Sequence, residues 1–159
     1  MKKRLETLFK LGILAGIVMY FANKFVESSA LIRRLLKTNT GKYYHWNHGS
    51  IYYTKQGNGD PILLVHDLDP SSSSAEWNET IEELSKTHTV YAIDLPGCGR
   101  SCKPHITYVN YFFVQLLSDF TKDVIREKTS VIATGLSGSF TIMAAHMYPD
   151  YFDKLTLLN

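Results

Sequence analysis

Residues 131–140 read VIATGLSGSF, and this stretch decides the fold. Its first four residues are apolar or β-branched and predict a buried strand. The small residues that follow, GLSGS at 135–139, predict a sharp turn. From Phe140 to Met147 the composition is typical of a helix, which Pro149 ends. One serine, Ser137, therefore lies at the centre of a turn between a strand and a helix.

A serine between small residues in such a turn indicates a nucleophile elbow. There a strained backbone conformation lifts the serine hydroxyl clear of the sheet. Gly135 and Ser139 supply the small neighbours two residues to either side of Ser137, where strand and helix nearly touch. A serine that falls in a tight turn by chance is the alternative, and this stretch alone leaves both interpretations open.

Composition limits the possible functions. The 159 residues suit one domain, and 45% hydrophobic residues are enough for a core. Residues 1–42 carry nine Lys/Arg and two Glu, whereas residues 43–159 carry eight Lys/Arg and thirteen Asp/Glu. The mildly acidic body argues against a nucleic-acid partner. Cys98 and Cys102 are too few for a disulfide scaffold or a zinc site, so we predict ordinary thiols and no metal.

An apolar segment lies near the amino terminus. Residues 11–22, LGILAGIVMYFA, carry no charge, and residues 8–26 would form about 28 Å of helix against a hydrocarbon core of roughly 30 Å. Lys10 and Lys24 would have to reach the headgroups. We therefore predict that residues 1–27 are a helix that anchors the protein in a membrane. A cleaved signal peptide and a peripheral or buried helix are the alternatives.

A basic connector is predicted at residues 28–42, followed by a globular body at residues 43–159. Aromatic and β-branched residues on both sides of His48-Gly49 predict a hairpin at the start of the body. Strands and helices then alternate along the chain. The strands are predicted at residues 61–65, 89–93, 131–134 and 155–158, and the helices at residues 75–86, 108–125 and 140–147.

Alternation of this kind predicts an α/β fold with a doubly wound, mostly parallel sheet. Ligands of such sheets bind at the carboxyl ends of the strands. Three loops meet at that edge, and they comprise residues 66–74, 94–101 and 135–139. The residues alone thus predict a small-molecule site with a serine in its floor.

Three stretches, in this order, resemble the α/β-hydrolase superfamily over about residues 43–159. LLVHDLDPSSSSAEW resembles its oxyanion loop, and AIDLPGCGRSCKP resembles its Asp-x-x-Gly-x-Gly-x-Ser loop. ATGLSGSFTIMAAHMYPDYFDKLTLLN resembles the elbow, the following helix and the sixth strand. The resemblance implies a hydrolase of esters or similar acyl bonds in small molecules, without a cofactor.

The resemblance also implies roles for particular residues. Ser137 would be the nucleophile, and the backbone N–H groups of Gly138 and Leu68 would hold the oxyanion. The substrate would contact His66, Asp67 and Leu136. Asp67 departs from the family pattern, which usually has glycine there. A carboxylate beside an oxyanion hole should oppose the developing negative charge unless it points away.

A serine mechanism also needs an acid and a histidine, which in this family follow the sixth strand. The 159 residues contain no matching positions. We therefore expect an incomplete fold with strands 1 to 6 that lacks the last two, in a chain that is inactive as it stands. A non-catalytic binding or scaffold protein, or an inactive gene fragment, is the alternative to a serine hydrolase.

Overall fold

The computed structural model describes the backbone of residues 2–32 and 41–159, and the side chains of residues 9–25 and 41–159. The chain forms two units, residues 1–38 and residues 39–159. The predicted connector at residues 28–42 lies for the most part outside the described residues. The predicted domain boundaries stay predictions.

The first unit contains helix α1, Lys2–Ile32. No helix in the described parts of the chain is long and apolar enough to cross a membrane, so the predicted anchor through residues 8–26 and the membrane localisation are wrong. Helix α1 has 31 residues. Between Lys10 and Lys24 it has thirteen uncharged residues, 11–23, which span only about 20 Å.

The second unit is built on one sheet. Its strands, in residues 41–159, are β1 (Lys42–Trp46), β2 (Gly49–Gln56), β3 (Pro61–Val65), β4 (Thr89–Ile93), β5 (Thr129–Thr134) and β6 (Phe152–Leu158). They lie in the order β1-β2-β4-β3-β5-β6. The hairpin of β1 and β2 is antiparallel and joins β4 antiparallel, whereas β4, β3, β5 and β6 are parallel. The predicted α/β fold is confirmed, as a mixed sheet of six strands.

Helices cover both faces of the sheet. They are α2 (Asn78–Leu84), α3 (Asn110–Phe120) and α4 (Ser137–Met147), with a 3₁₀ turn at Ser74–Trp77 and a π-helical turn at Thr121–Ile125. Alternate residues of β3 point to opposite faces. Ile62 and Leu64 pack with Trp77 and Ile81 on one face, while Leu63 and its neighbours pack under α3 and α4 on the other. This alternation explains why the central strands are continuous apolar runs.

Candidate active site

The predicted edge of the sheet brings three loops together. His66 directly follows β3, Asp94 follows β4, and Gly135 follows β5. These three strands are neighbours in the sheet and run parallel, so their carboxyl ends lie side by side. The residues that follow them form the candidate site.

His66 ties two of these loops together. It is fully buried, and its Nε2 accepts a hydrogen bond of 2.9 Å from the N–H of Leu95. Nε2 therefore carries no proton, and Nδ1–H donates to the carbonyl of Asp67 at 2.7 Å. Burial lowers the pKa of His66, which keeps the ring neutral. Both ring nitrogens are occupied by main chain, so His66 is not placed to bind substrate or act as a base.

Asp94 has a similar structural part in the second loop. Its side chain is fully buried, and its two oxygens accept 2.7 Å hydrogen bonds from the N–H groups of Ser74 and Arg100. A Cβ on Gly99, which has φ +46°, would overlap this carboxylate. The glycine of the Asp-x-x-Gly-x-Gly-x-Ser pattern is thus required by the close approach of Asp94.

The elbow differs from the prediction at its central residue. The left-handed backbone conformation lies at Gly135, with φ +55°, and among the described non-glycine residues only Arg126 has a positive φ. The predicted strain at Ser137 is therefore wrong. Ser137 instead begins α4, and Gly135 is the exposed apex of the turn. Glycine adopts a positive φ at no steric cost, and this preference is the signal that could have identified the apex from the sequence.

The hydroxyl of Ser137 is enclosed. The residue has no exposed surface, and its Oγ donates a 2.7 Å hydrogen bond to the carbonyl of Thr134 and lies 3.4 Å from that of Val65. Both carbonyls belong to the strands beneath the turn. The role of Ser137 as nucleophile stays a prediction, and this enclosure argues against it.

Asp67 fills the space at the apex. A Cβ on Gly135 would overlap the carboxylate of Asp67, so the aspartate side chain occupies the volume in which a side chain at position 135 would begin. Asp67 is half-buried, whereas Asp94 is closed off from solvent. The carboxylate reaches the elbow from the opposite loop, which the order of residues in the chain could not reveal.

Two backbone donors converge on one oxygen of Asp67. Its Oδ1 accepts hydrogen bonds of 2.7 Å from the N–H of Leu68 and of 2.7 Å from the N–H of Leu136. Gly138, the predicted partner of Leu68, donates instead to the carbonyl of Gly135 at 3.2 Å. Among the described residues, none donates a hydrogen bond to the second oxygen, Oδ2. Two main-chain N–H groups, from loops that follow different strands, thus converge on one carboxylate oxygen.

Exposed apolar side chains border the apex. The side chain of Leu136 is 66% exposed, and Leu157 and Leu158 at the end of β6 are also exposed. The carbonyl of Leu158 accepts the N–H of Gly135 at 3.0 Å, which fixes the end of β6 beside the turn. The predicted position of Leu136 beside a substrate therefore corresponds to an exposed apolar surface next to the Asp67 carboxylate.

Residues 62–158 match the Alpha/beta hydrolase family. The chain belongs to this family. The family match covers the stretch from β3 to β6 that forms the site.

Relatives of this α/β-hydrolase-family chain include hydrolases of different bonds. It is 29% identical over 109 residues to the pimeloyl-[acyl-carrier protein] methyl ester esterase of Vibrio atlanticus, covering 67% of this chain and 38% of that protein. It is 26% identical over 108 residues to the 2-hydroxy-6-oxo-6-(2'-aminophenyl)hexa-2,4-dienoic acid hydrolase of Metapseudomonas resinovorans, covering 67% and 37%. The chain spans less than two fifths of the length of these relatives.

Solved structures share the fold of the body. The meta-cleavage product hydrolase CumD from Pseudomonas fluorescens matches with a TM-score of 0.68 and 26% identity, over 73% of this chain and 43% of that chain. The epoxide hydrolase CorEH matches with a TM-score of 0.71 and 27% identity, over 76% and 42%.

Proposed function

We propose that this chain carries part of the active site of a hydrolase that acts on small molecules, and that its oxyanion hole consists of the N–H groups of Leu68 and Leu136. The observation that carries the proposal is the convergence of both groups on Oδ1 of Asp67 at 2.7 Å. Two main-chain donors aimed at one oxygen are arranged to stabilise negative charge in a transition state. The relative from Metapseudomonas resinovorans is a hydrolase of a small organic acid, which supports the substrate class.

A serine mechanism at Ser137 is the finer hypothesis that the sequence suggested. The geometry supports it less, because the Ser137 hydroxyl is buried and donates to the carbonyl of Thr134. A nucleophilic serine needs a base within hydrogen-bond reach, and no histidine in the described part of the chain hydrogen-bonds to it. We therefore propose that hydrolysis at this site does not begin with attack by Ser137.

The experiment removes the N–H donor of Leu136, and a second variant that loses only the leucine side chain is its control. Leu136 has φ −62°, which proline adopts readily, so Leu136→Pro deletes the N–H without a change in the φ of this residue. Leu136→Ala keeps the N–H and removes the same side chain. The gene product that contains this chain is assayed with p-nitrophenyl butyrate, epoxyhexane and hexyl bromide. Loss of one oxyanion donor is expected to lower kcat about 10²–10³-fold in the proline variant only.

Equal rates for the two variants, each verified as folded by circular dichroism, would contradict the proposal. So would the absence of any reaction, whether turnover or covalent labelling of the protein, with every member of the panel.

A non-catalytic binding protein is the second candidate, and one observation favours it. The apex of the turn, Gly135, has no side chain that could act as a nucleophile. This alternative expects saturable binding of small apolar carboxylates or esters with no turnover in any variant. Isothermal titration of the unmodified protein with butyrate distinguishes it from an active hydrolase.

A further inference from the structure

We infer that Asp67 is the nucleophile of this site and that it attacks a saturated carbon whose leaving group departs as an anion, as in an alkyl halide. This inference rests on the proposed function, since it assigns the reacting group at the oxyanion hole formed by Leu68 and Leu136. It moves the nucleophile from the elbow to the facing loop. The two oxygens of the Asp67 carboxylate have different surroundings, and this difference supports the assignment.

The two oxygens of the Asp67 carboxylate have different roles in a covalent mechanism, because Oδ1 orients the group and Oδ2 attacks. Oδ1 is fixed by two hydrogen bonds of 2.7 Å from the N–H groups of Leu68 and Leu136. Oδ2 receives none from the described residues, so its lone pairs remain available. A carboxylate that is oriented through one oxygen and unbound at the other is prepared for attack through the second.

The position of the carboxylate also fits. It occupies the volume that a side chain on Gly135 would enter, at the exposed apex of the turn. The exposed side chain of Leu136 lies on the adjacent residue and offers an apolar contact for an alkyl chain. The thiol of Cys98, another nucleophile near this edge, is less suitable. It donates to the carbonyl of Asp69, and burial raises its pKa.

The first step forms a bond between Oδ2 and the substrate carbon. The bond from that carbon to the halogen breaks, and halide leaves with the electron pair, so no acid is required. Asp67 becomes an alkyl ester, whose carbonyl oxygen is Oδ1. An ester substrate is less suitable, because attack by a carboxylate on an acyl carbon would give an anhydride.

The second step returns the carboxylate. A water oxygen adds to Cγ of Asp67, and its proton passes to bulk water. The negative charge of the tetrahedral intermediate develops on Oδ1, where the N–H groups of Leu68 and Leu136 already point. Collapse expels the alkoxide, which takes the proton of the newly added hydroxyl, so Asp67 returns to its carboxylate form. The balance is alkyl halide plus water to alcohol, halide and a proton, and Asp67 keeps one oxygen from the solvent.

The rate of the second step depends on a base for the attacking water. No histidine in the described residues hydrogen-bonds to the Asp67 carboxylate, and both ring nitrogens of His66 are bound to main chain. Where no other base assists, the ester accumulates and can be isolated. Where one does assist, the enzyme turns over and the solvent oxygen enters Asp67. In both cases the mass of the peptide that contains Asp67 changes, by a hexyl group or by a heavy oxygen.

The test uses hexyl bromide with the gene product that contains this chain, in water enriched in heavy oxygen. The Asp67 peptide is then analysed by mass spectrometry. We expect it to carry a hexyl group or a heavy oxygen in its carboxylate. Hydroxylamine should release a hexyl ester, whereas a thioether on Cys98 or Cys102 would resist it.

Asp67→Asn keeps the size of the side chain and an acceptor for Leu68 and Leu136, and it should lower labelling and bromide release about 10³-fold or more. Asp69→Asn removes an exposed carboxylate two residues away and is the matched control, which should label like the unmodified protein.

Two results would overturn the inference: an Asp67 peptide without either label, or labelling that survives in Asp67→Asn. If Leu136→Pro still slows hydrolysis of p-nitrophenyl butyrate while Asp67 stays unlabelled, the oxyanion hole stands and only the assignment of the nucleophile fails. If the proline and alanine variants also behave alike, the proposed function fails with it.

Discussion

Asp67 and Asp94 lie at the same edge of the sheet, and each carboxylate is held by two main-chain N–H groups at 2.7 Å. Asp94 uses both oxygens, one for Ser74 and one for Arg100, and is fully buried. Asp67 uses a single oxygen for both of its donors and is half-buried. The first arrangement leaves no oxygen for chemistry, whereas the second leaves one.

Each carboxylate also lies against a glycine with positive φ, which belongs to the same loop for Asp94 and to the facing loop for Asp67. A Cβ would overlap Asp94 at Gly99 and Asp67 at Gly135. A carboxylate packed against a glycine thus fixes a loop at Asp94, whereas at Asp67 the same packing presents the proposed reactive group. The difference teaches that the number of unbound oxygens, and not the presence of a buried acid, separates a structural aspartate from a candidate nucleophile.

The largest effect is expected from Asp94→Ala. The N–H of Ser74 would be left without an acceptor in a buried site, at a cost of about 1–3 kcal/mol, and the half-buried N–H of Arg100 would lose its acceptor as well. Asp67→Ala is the matched variant, and its half-buried donors can turn to water, so its loss should be below about 1.5 kcal/mol. Urea unfolding of both variants measures the difference. Equal losses would remove the distinction between the two aspartates.

A smaller effect is expected from Gly135→Ala. Alanine at φ +55° is strained by about 1–2 kcal/mol, and its Cβ also overlaps Asp67. Asp67→Gly removes the overlap but not the strain, so the double variant should recover about 1 kcal/mol relative to the sum of the single changes in the free energy of unfolding, measured with urea.

Gly138→Ala in the same turn is the control, because its Cβ would meet only Leu157 at 3.6 Å. It should be neutral or stabilising. Additive losses in the cycle of Gly135 and Asp67 would show that the two residues do not compete for one volume.

His66 provides a test by pH. Burial lowers its pKa below the ordinary value of 6.5, so near and below that pH the unfolded chain binds a proton that the folded protein does not. Stability is therefore complete above about pH 6.5 and falls as the pH drops, by up to about 1.4 kcal/mol per pH unit. Urea midpoints across this range measure the slope. His66→Asn should flatten it, and His45→Asn, at an exposed position, should not.

The smallest effect is expected from Ser137→Ala. It removes a buried hydroxyl that donates to Thr134, at a cost of about 1 kcal/mol, and should leave the hydrolysis rate unchanged. Ser139→Ala removes an exposed hydroxyl two residues further on and is its control. A folded Ser137→Ala protein without activity would return the nucleophile to Ser137.

The sequence predicted the framework of the body because the central strands are buried on both faces. Continuous apolar runs such as 61–65 and 89–93 leave few alternatives to a parallel sheet. The same logic placed the three loops at one edge. Helix limits were less well predicted, since the helix expected at 108–125 is α only to Phe120 and then continues as a π turn.

The site was harder to predict for a physical reason. Whether Gly135 or Ser137 is the apex depends on which residue takes a positive φ, and the run GLSGS fits either register. That Asp67 enters the space at Gly135 depends on the direction of one side chain across two loops, which periodicity does not encode. The anchor was predicted on the assumption that Lys10 and Lys24 could reach the headgroups, but the described residues contain no helix long and apolar enough to cross a membrane.

A Cβ at position 135 would overlap the Asp67 carboxylate, and this limits how the two positions can evolve. One small volume at the elbow holds one functional group, which can be supplied from the loop after β5 or from the loop after β3, but not from both. Relatives with a side chain at the position of Gly135 should therefore carry a small residue at the position of Asp67, and the exchange requires two compensating substitutions. A search for a serine at the elbow would overlook proteins whose functional group lies on the loop after β3.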